Sequence, residues 1–311
     1  MKKFKLFKQK GSGSDRNRQA QTNSPGLLEK PWRKFEPGGD WTSKYHKKLL
    51  GQINEHDIKE EGIDTIRIML LGQIKAGKSS FVNTVASIDI ERITQITRAG
   101  GADKSLTFAL KEYRPSGALK KTICMLDTMG YEEGAGGLNV KDIVQLVNGN
   151  IRRNYKFNPA SPIEKESTDF RQDPKKGDLV NCIVFVADAN ILGHDNITVE
   201  TRQKLKELQA ELRSHDVATI VLLTKIDVLC ECVANDIQNT YMSEKVKQAV
   251  DIAKELYSVP KNNIFPIKNY EDEMGRDAHL EILILLALRQ MMYYGTDYLN
   301  AASASDQFGE T

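Results

Sequence analysis

Residues 72–79 read GQIKAGKS, with Gly72 followed after four positions by Gly77, Lys78 and Ser79. The spacing G-x-x-x-x-G-K-[ST] turns successive backbone N–H groups inward and forms a cradle for the oxygens of a polyphosphate. In such a loop Lys78 reaches the β- and γ-phosphates and the Ser79 hydroxyl is a ligand for Mg²⁺. Lys75, Ala76 and Ser80 complete the phosphate-binding stretch. The preceding TIRIMLLG reads as a buried strand, and the following SSFVNTVASI has helical spacing. The loop therefore lies where a phosphate meets a helix N-terminus. A glycine-rich turn with incidental lysines would carry no such context.

Three further segments follow in a fixed order. CMLDTMG ends an apolar run with Asp127 and Gly130. A carboxylate there holds Mg²⁺ through water, and the Gly130 N–H faces a γ-phosphate. LLTKID ends a later run with Thr224, Lys225 and Asp227. The Asp227 carboxylate accepts from the N1–H and 2-amino group of guanine, whereas adenine would leave it unpaired at a cost. Lys225 is placed to lie along the base. Thr224 stands where this motif usually carries Asn, so one base contact is lost. FPIKNY closes the series, with the backbone N–H of Ile267 or Lys268 as candidate donor to the guanine oxygen. The polar, glycine-rich stretch 93–107, ITQITRAGGADKSLT, reads as a first switch loop in which Thr107 or Ser105 closes on the metal. The stretch 130–139, GYEEGAGGLN, reads as a second.

These motifs need a scaffold that brings strand ends together. Strands are expected in TIRIMLLG, LTFALKEYR, KTICMLDT, NCIVFVADA, ATIVLLTKID and NIFPIKNY. Helices are expected near 42–56, 78–88, 138–152, 198–214, 242–257 and 277–294. Strands alternating with helices, and apolar throughout, predict an α/β fold with a mostly parallel six-stranded sheet covered on both faces. That is the three-layer, P-loop GTPase-like arrangement. Only LTFALKEYR alternates apolar and polar residues, which suits an antiparallel edge strand. Residues 153–179 form a Pro- and charge-rich insertion.

The chain of 311 residues is 40% hydrophobic and 28% charged, ordinary for a soluble globular protein. Its net charge of +2 hides an asymmetry: residues 1–50 carry 13 Lys and Arg against 4 Asp and Glu, the remainder 31 against 38. Residues 1–26 are expected to be a disordered basic tail, touching an anionic membrane weakly at most. Residues 27–63 form an extension whose Trp32 and Trp41 require burial against the main domain, 64–298. Residues 299–311 are expected to be a flexible tail. Nothing in the charge pattern points to a specific nucleic-acid partner. The four cysteines form no disulfide framework and read as free thiols in a reducing compartment. No secretory signal is visible at the N-terminus, and LEILILLAL at 280–288 is too short to span a bilayer. The expected location is the cytoplasm.

The order GQIKAGKSSFVNTV, DTMGYEE, YKFNP, LLTKID and FPIKNYEDE, preceded by PWRKFE, resembles the interferon-induced protein 44 and 44-like family of GTPase-like proteins. The resemblance covers roughly residues 28–295. It implies a cytoplasmic binder of GTP or GDP in the interferon-driven antiviral response. Longer members of that family begin with a TLDc-type domain, which this sequence is not expected to carry. Two readings of the site differ in turnover. One is an active GTPase switch; the other is a nucleotide-dependent scaffold with slow hydrolysis. Tyr131 stands where Ras-like enzymes place a water-orienting Gln, and Ile74 projects toward the same spot, which favours the scaffold. Lys75 stands where a resemblance to guanylate-binding proteins puts a basic finger, acting when two nucleotide domains meet in a nucleotide-dependent homodimer. An ATP-dependent P-loop enzyme is opposed by Asp227. Protein partners are not legible in the sequence.

Overall fold

The computed structural model describes residues 26–58, 62–97, 109–119, 122–131, 137–194 and 196–308. The apolar runs form one sheet. Its strands are β1 (Ile66–Leu71), β2 (Lys111–Tyr113), β3 (Ile123–Asp127), β4 (Cys182–Asp188), β5 (Ala218–Thr224) and β6 (Ile264–Pro266), in the order β2-β3-β1-β4-β5-β6. All pairings are parallel except β2 with β3, the alternating edge strand. In register, Leu70 of β1 stands opposite Asp127 of β3, and Asp188 of β4 opposite Thr224 of β5. The C-terminal ends that carry the motifs therefore lie along one edge, where open α/β sheets bind ligands.

The helices are α1 (Ser43–Glu55), α2 (Lys78–Asp89), α3 (Val140–Val147), α4 (Ala189–Gly193), α5 (Val199–Leu212), α6 (Ile226–Leu229), α7 (Glu231–Asn235), α8 (Glu244–Tyr257) and α9 (Ala278–Phe308). Helices α3, α5 and α8 pack in a row, while α9 lies across β1, β4, β5 and β6 and carries α1 against it. With helices packed on the sheet, every residue of β1 and β3 is buried. Each such Leu or Ile contributes about 1.5–3 kcal/mol. Arg67, inside β1, is accommodated because its guanidinium meets Glu112 of β2 at 3.0 Å.

Side chains set the helix starts. Thr42, Thr198 and Ser243 accept the N–H groups that open α1, α5 and α8. Helix α3 stops at Val147, five residues short of the expected end, because Gly149 at φ +73° turns the chain. Helix α9 runs on to Phe308, past the boundary expected at 298. The insertion folds back onto α3, where the buried Asp142 accepts the Ile163 N–H at 2.7 Å and the Tyr155 hydroxyl at 3.3 Å. In the extension, Trp32 and Trp41 pack on Tyr241, with ring centroids 5.5 and 5.9 Å away.

Candidate functional site

The phosphate half is built mostly from main chain. β1 delivers the loop at Gly72, where a Cβ would come within 2.2 Å of the Val186 carbonyl oxygen on β4. Only glycine allows that approach. At the other end Gly77, with φ +95°, is the N-cap of α2 and supplies no capping side chain. The first N–H groups of this helix therefore stay available to an anion. Lys75 is exposed at the loop tip with φ +65°. Lys78 is 7% exposed and donates to the carbonyls of Gly72 and Gln73 at 2.9 and 3.0 Å. Burial pulls its ammonium down to about 8, against the attraction of Asp127.

The Ser79 hydroxyl donates to Asp127 Oδ2 at 2.8 Å. This pairing of hydroxyl and carboxylate is an all-oxygen donor set, which suits a hard ion such as Mg²⁺. Thr128 fixes the turn after Asp127 by donating to Leu70 O at 2.6 Å. Beyond it the chain lies along the P-loop: Tyr131 N–H donates to Gly72 O at 3.2 Å, and Ile74 N–H to Tyr131 O at 3.3 Å. A Cβ on Gly130 would meet Ile74 Cγ1 at 2.7 Å. The Tyr131 ring is buried and lies beside Tyr257 of α8. Its side chain therefore belongs to the core.

Of the expected first switch loop, Thr97 is described and buried. Its hydroxyl donates to Ser79 O at 3.0 Å, and the Asn83 amide brackets its backbone. Ser105 and Thr107, the expected metal ligands of that loop, lie outside the described residues, as do 132–136 of the second. A cavity of about 270 Å³ opens beside Asp127, lined among others by Thr97, Lys111 and Arg153.

The base half is assembled from strand ends. Thr224 is fully buried, and its hydroxyl lies 2.7 Å from Ala76 O and 3.2 Å from Ala187 O. The residue that departs from the usual Asn thus ties β5 to the P-loop. Lys225, at φ +59°, extends to Asp188 Oδ2 at 2.6 Å. Asp227 lies in the first turn of α6, with Lys268 Nζ 3.8 Å from its Oδ2. Ile267 is corrected as a base donor. Its N–H donates to Leu223 O at 2.8 Å, prolonging the β5–β6 ladder, and Lys268 is left as the candidate.

Three residues at the site escape the motif reading. Asn269 donates through Nδ2 to Gly77 O at 3.3 Å, while its Oδ1 is buried with no partner among the described residues. Asp188 ends the apolar strand NCIVFVAD, and that position was its only signal. Thr97 had no signal beyond its place in a polar loop.

No family model matches the chain. It is 30% identical over 262 residues to Interferon-induced protein 44-like of Homo sapiens, covering 82% of this chain and 57% of that protein. It is also 30% identical over 258 residues to Interferon-induced protein 44 of Homo sapiens, covering 81% and 57%. The chain belongs to the interferon-induced protein 44 and 44-like family. The Mus musculus Interferon-induced protein 44 is 29% identical over 82% of this chain and 60% of its own length. The chain thus spans a little over half the length of these relatives. Among solved structures it is similar to a probable GTP-binding protein engB, 16% identical over 74% of this chain and 98% of that one, with TM-score 0.40. It is also similar to translation elongation factor SelB from Methanococcus maripaludis in complex with the GTP analogue GppNHp, 14% identical over 76% of this chain and 35% of that one, with TM-score 0.38. No helix among the described residues is long and apolar enough to cross a membrane.

Proposed function

We propose that this chain binds GTP or GDP with Mg²⁺ and acts as a slowly hydrolysing, nucleotide-dependent switch or scaffold. Its setting is the interferon-induced antiviral response in the cytoplasm; the names of its relatives support the interferon-induced part of that reading. The observation that carries the nucleotide assignment is the 2.7 Å contact between the Thr224 hydroxyl and Ala76 O. That contact joins the base motif to the phosphate loop, so one ligand spans both. On the phosphate side Lys78 and the open N-terminus of α2 supply positive charge. Ser79 and Asp127 would hold the metal, which would supply positive charge against the phosphate oxygens. On the base side the Asp227 carboxylate has no donor to meet on adenine, and that supports guanine.

Slow turnover follows from Tyr131. Its ring is in the core and so is not available to orient an attacking water. Lys75 supports a second reading. It is exposed at the loop tip, where it would act as a finger across a nucleotide-dependent homodimer, and such a cation is worth roughly 10³–10⁵ in rate. The deciding experiment measures affinity for GTP, GDP, ATP and XTP together with phosphate release. The proposal expects GTP and GDP to bind at least about tenfold tighter than ATP. Equal binding of ATP refutes it.

A further inference from the structure

The loop that follows β6 is held by a buried ionic cluster that phosphate binding does not require. Glu281, in the first turn of α9, is 1% exposed, and both its oxygens are fully engaged. Arg276 donates to Oε1 and Oε2 at 2.7 and 2.8 Å, Tyr270 to Oε1 at 2.8 Å, and His46 Nε2 lies 2.6 Å from Oε2. Burial alone would push this carboxyl up. The hydrogen bonds from Arg276, His46 and Tyr270 override it and hold the group at about 2.

Tyr270 links the cluster to the site. Its hydroxyl accepts the Asp277 N–H at 2.7 Å, and its own N–H donates to Thr84 of α2 at 3.0 Å. The two residues before it are Asn269, bonded to Gly77, and Lys268. Lys268 is shared between Glu273 at 2.6 Å and Asp227 at 3.8 Å. On the other side of the cluster, His46 belongs to α1, in the extension that precedes the nucleotide domain. The extension holds the same region twice more. Arg33 donates to Ile264 O of β6 at 2.7 Å and to the Lys261 carbonyl. Glu36 pairs with Arg289 of α9 at 2.8 and 3.0 Å.

We propose that the extension is a working part of the base subsite. His46, acting through Glu281 and Tyr270, positions the 267–270 backbone and Lys268 beside Asp227, and so sets affinity for guanine without contacting it. This rests on the guanine reading above. Residues 267–277 form no helix or strand beyond β6, so apart from the main-chain bonds of Ile267 and Asp277 at the two ends, side-chain bonds set their geometry. A loop left loose must be ordered when the base arrives, at an entropic cost that weakens binding. The phosphate loop has its own anchors in Thr224, Thr128 and the Gly72 turn. Loosening the cluster therefore weakens base binding selectively. His46 is a positioning residue, 235 positions away in sequence from the carboxylate it holds.

The test uses the full chain, with GDP, ADP and inorganic tripolyphosphate as probes and Mg²⁺ present, read by titration calorimetry. His46→Ala is expected to lose about fivefold or more in GDP affinity, the lower range of coupling between sites, with tripolyphosphate affinity changed less than about twofold. His46→Gln, which keeps a donor for Glu281, should recover most of the GDP affinity. Thermal melts confirm that each variant folds, and Tyr270→Phe gives a second route if His46→Ala does not. Equal losses for GDP and tripolyphosphate, or no loss for GDP, overturn the positioning role. A parent protein that binds tripolyphosphate but does not prefer GDP to ADP overturns the guanine reading. A parent that binds none of the probes overturns both.

Discussion

The proposed phosphate half and the proposed base half of the candidate site are built by opposite means. Eight consecutive residues, 72–79, make the proposed phosphate cradle, and its partner Asp127 is the C-terminal residue of the adjacent strand. The base half draws on Thr224–Asp227, 267–270, the start of α9 and the extension, joined by contacts such as Thr224 to Ala76 and His46 to Glu281. Phosphate is recognised by backbone N–H groups and charge, which a local loop can present. A base needs donors and acceptors on a plane at fixed spacing, and several elements must be held in place to supply them. The two halves should therefore respond to substitution differently, the first through direct contacts and the second also through remote ones.

The largest effect is expected at the cradle. Lys78→Ala should weaken GTP and GDP alike by at least about tenfold, on the scale of a hydrogen bond to a charged group. Burial already disfavours this ammonium, so the melting temperature should hold within about 3 °C. A base-selective loss at Lys78 would break the division between the halves. Asp227→Asn should instead change which nucleotide is preferred. The amide suits xanthine, so the ratio of GTP to XTP affinity should fall by about tenfold or more. Binding measured for both nucleotides reads this directly.

A pH series sharpens the phosphate side further. Lys78 titrates at about 8 in this structure, and bound phosphate favours its charged form. Binding therefore takes up a proton once the free lysine begins to lose its own. Affinity should fall as pH rises from 7 to 8.5, and Lys78→Ala should flatten that slope. Thr224→Val keeps the shape but removes the tether to Ala76. A loss of about threefold to tenfold in affinity is expected, the value of one hydrogen bond of roughly 1 kcal/mol. The smallest effect concerns stability alone. Glu281 is held at about 2, below its unfolded-chain value of 4.5. Its contribution is complete above pH 4.5 and is lost as pH falls toward 2. Urea midpoints measured across that window should fall less steeply in Glu281→Gln.

The sequence by itself determined the parallel sheet, its antiparallel edge strand and the phosphate loop, because each depends on short-range signals. Apolar runs of strand length mark buried strands, and G-x-x-x-x-G-K-[ST] carries its chemistry within eight residues. The positions of Asp127 at the end of β3 and Asp227 just after β5 were legible because both end or directly follow such runs. Tertiary structure alone decided what the neighbours of these motifs do. Ile267 was expected to offer its N–H to the base, yet the β5–β6 ladder takes it. Tyr131 turned out to be a core residue, and Thr224 a tether for the P-loop. The contacts of Asn269 with Gly77 and of His46 with Glu281 had no signature, since the partners lie 192 and 235 residues apart. A hydrogen bond depends on distance and angle in space, and those are set only once the packed helices and strands have brought remote side chains together.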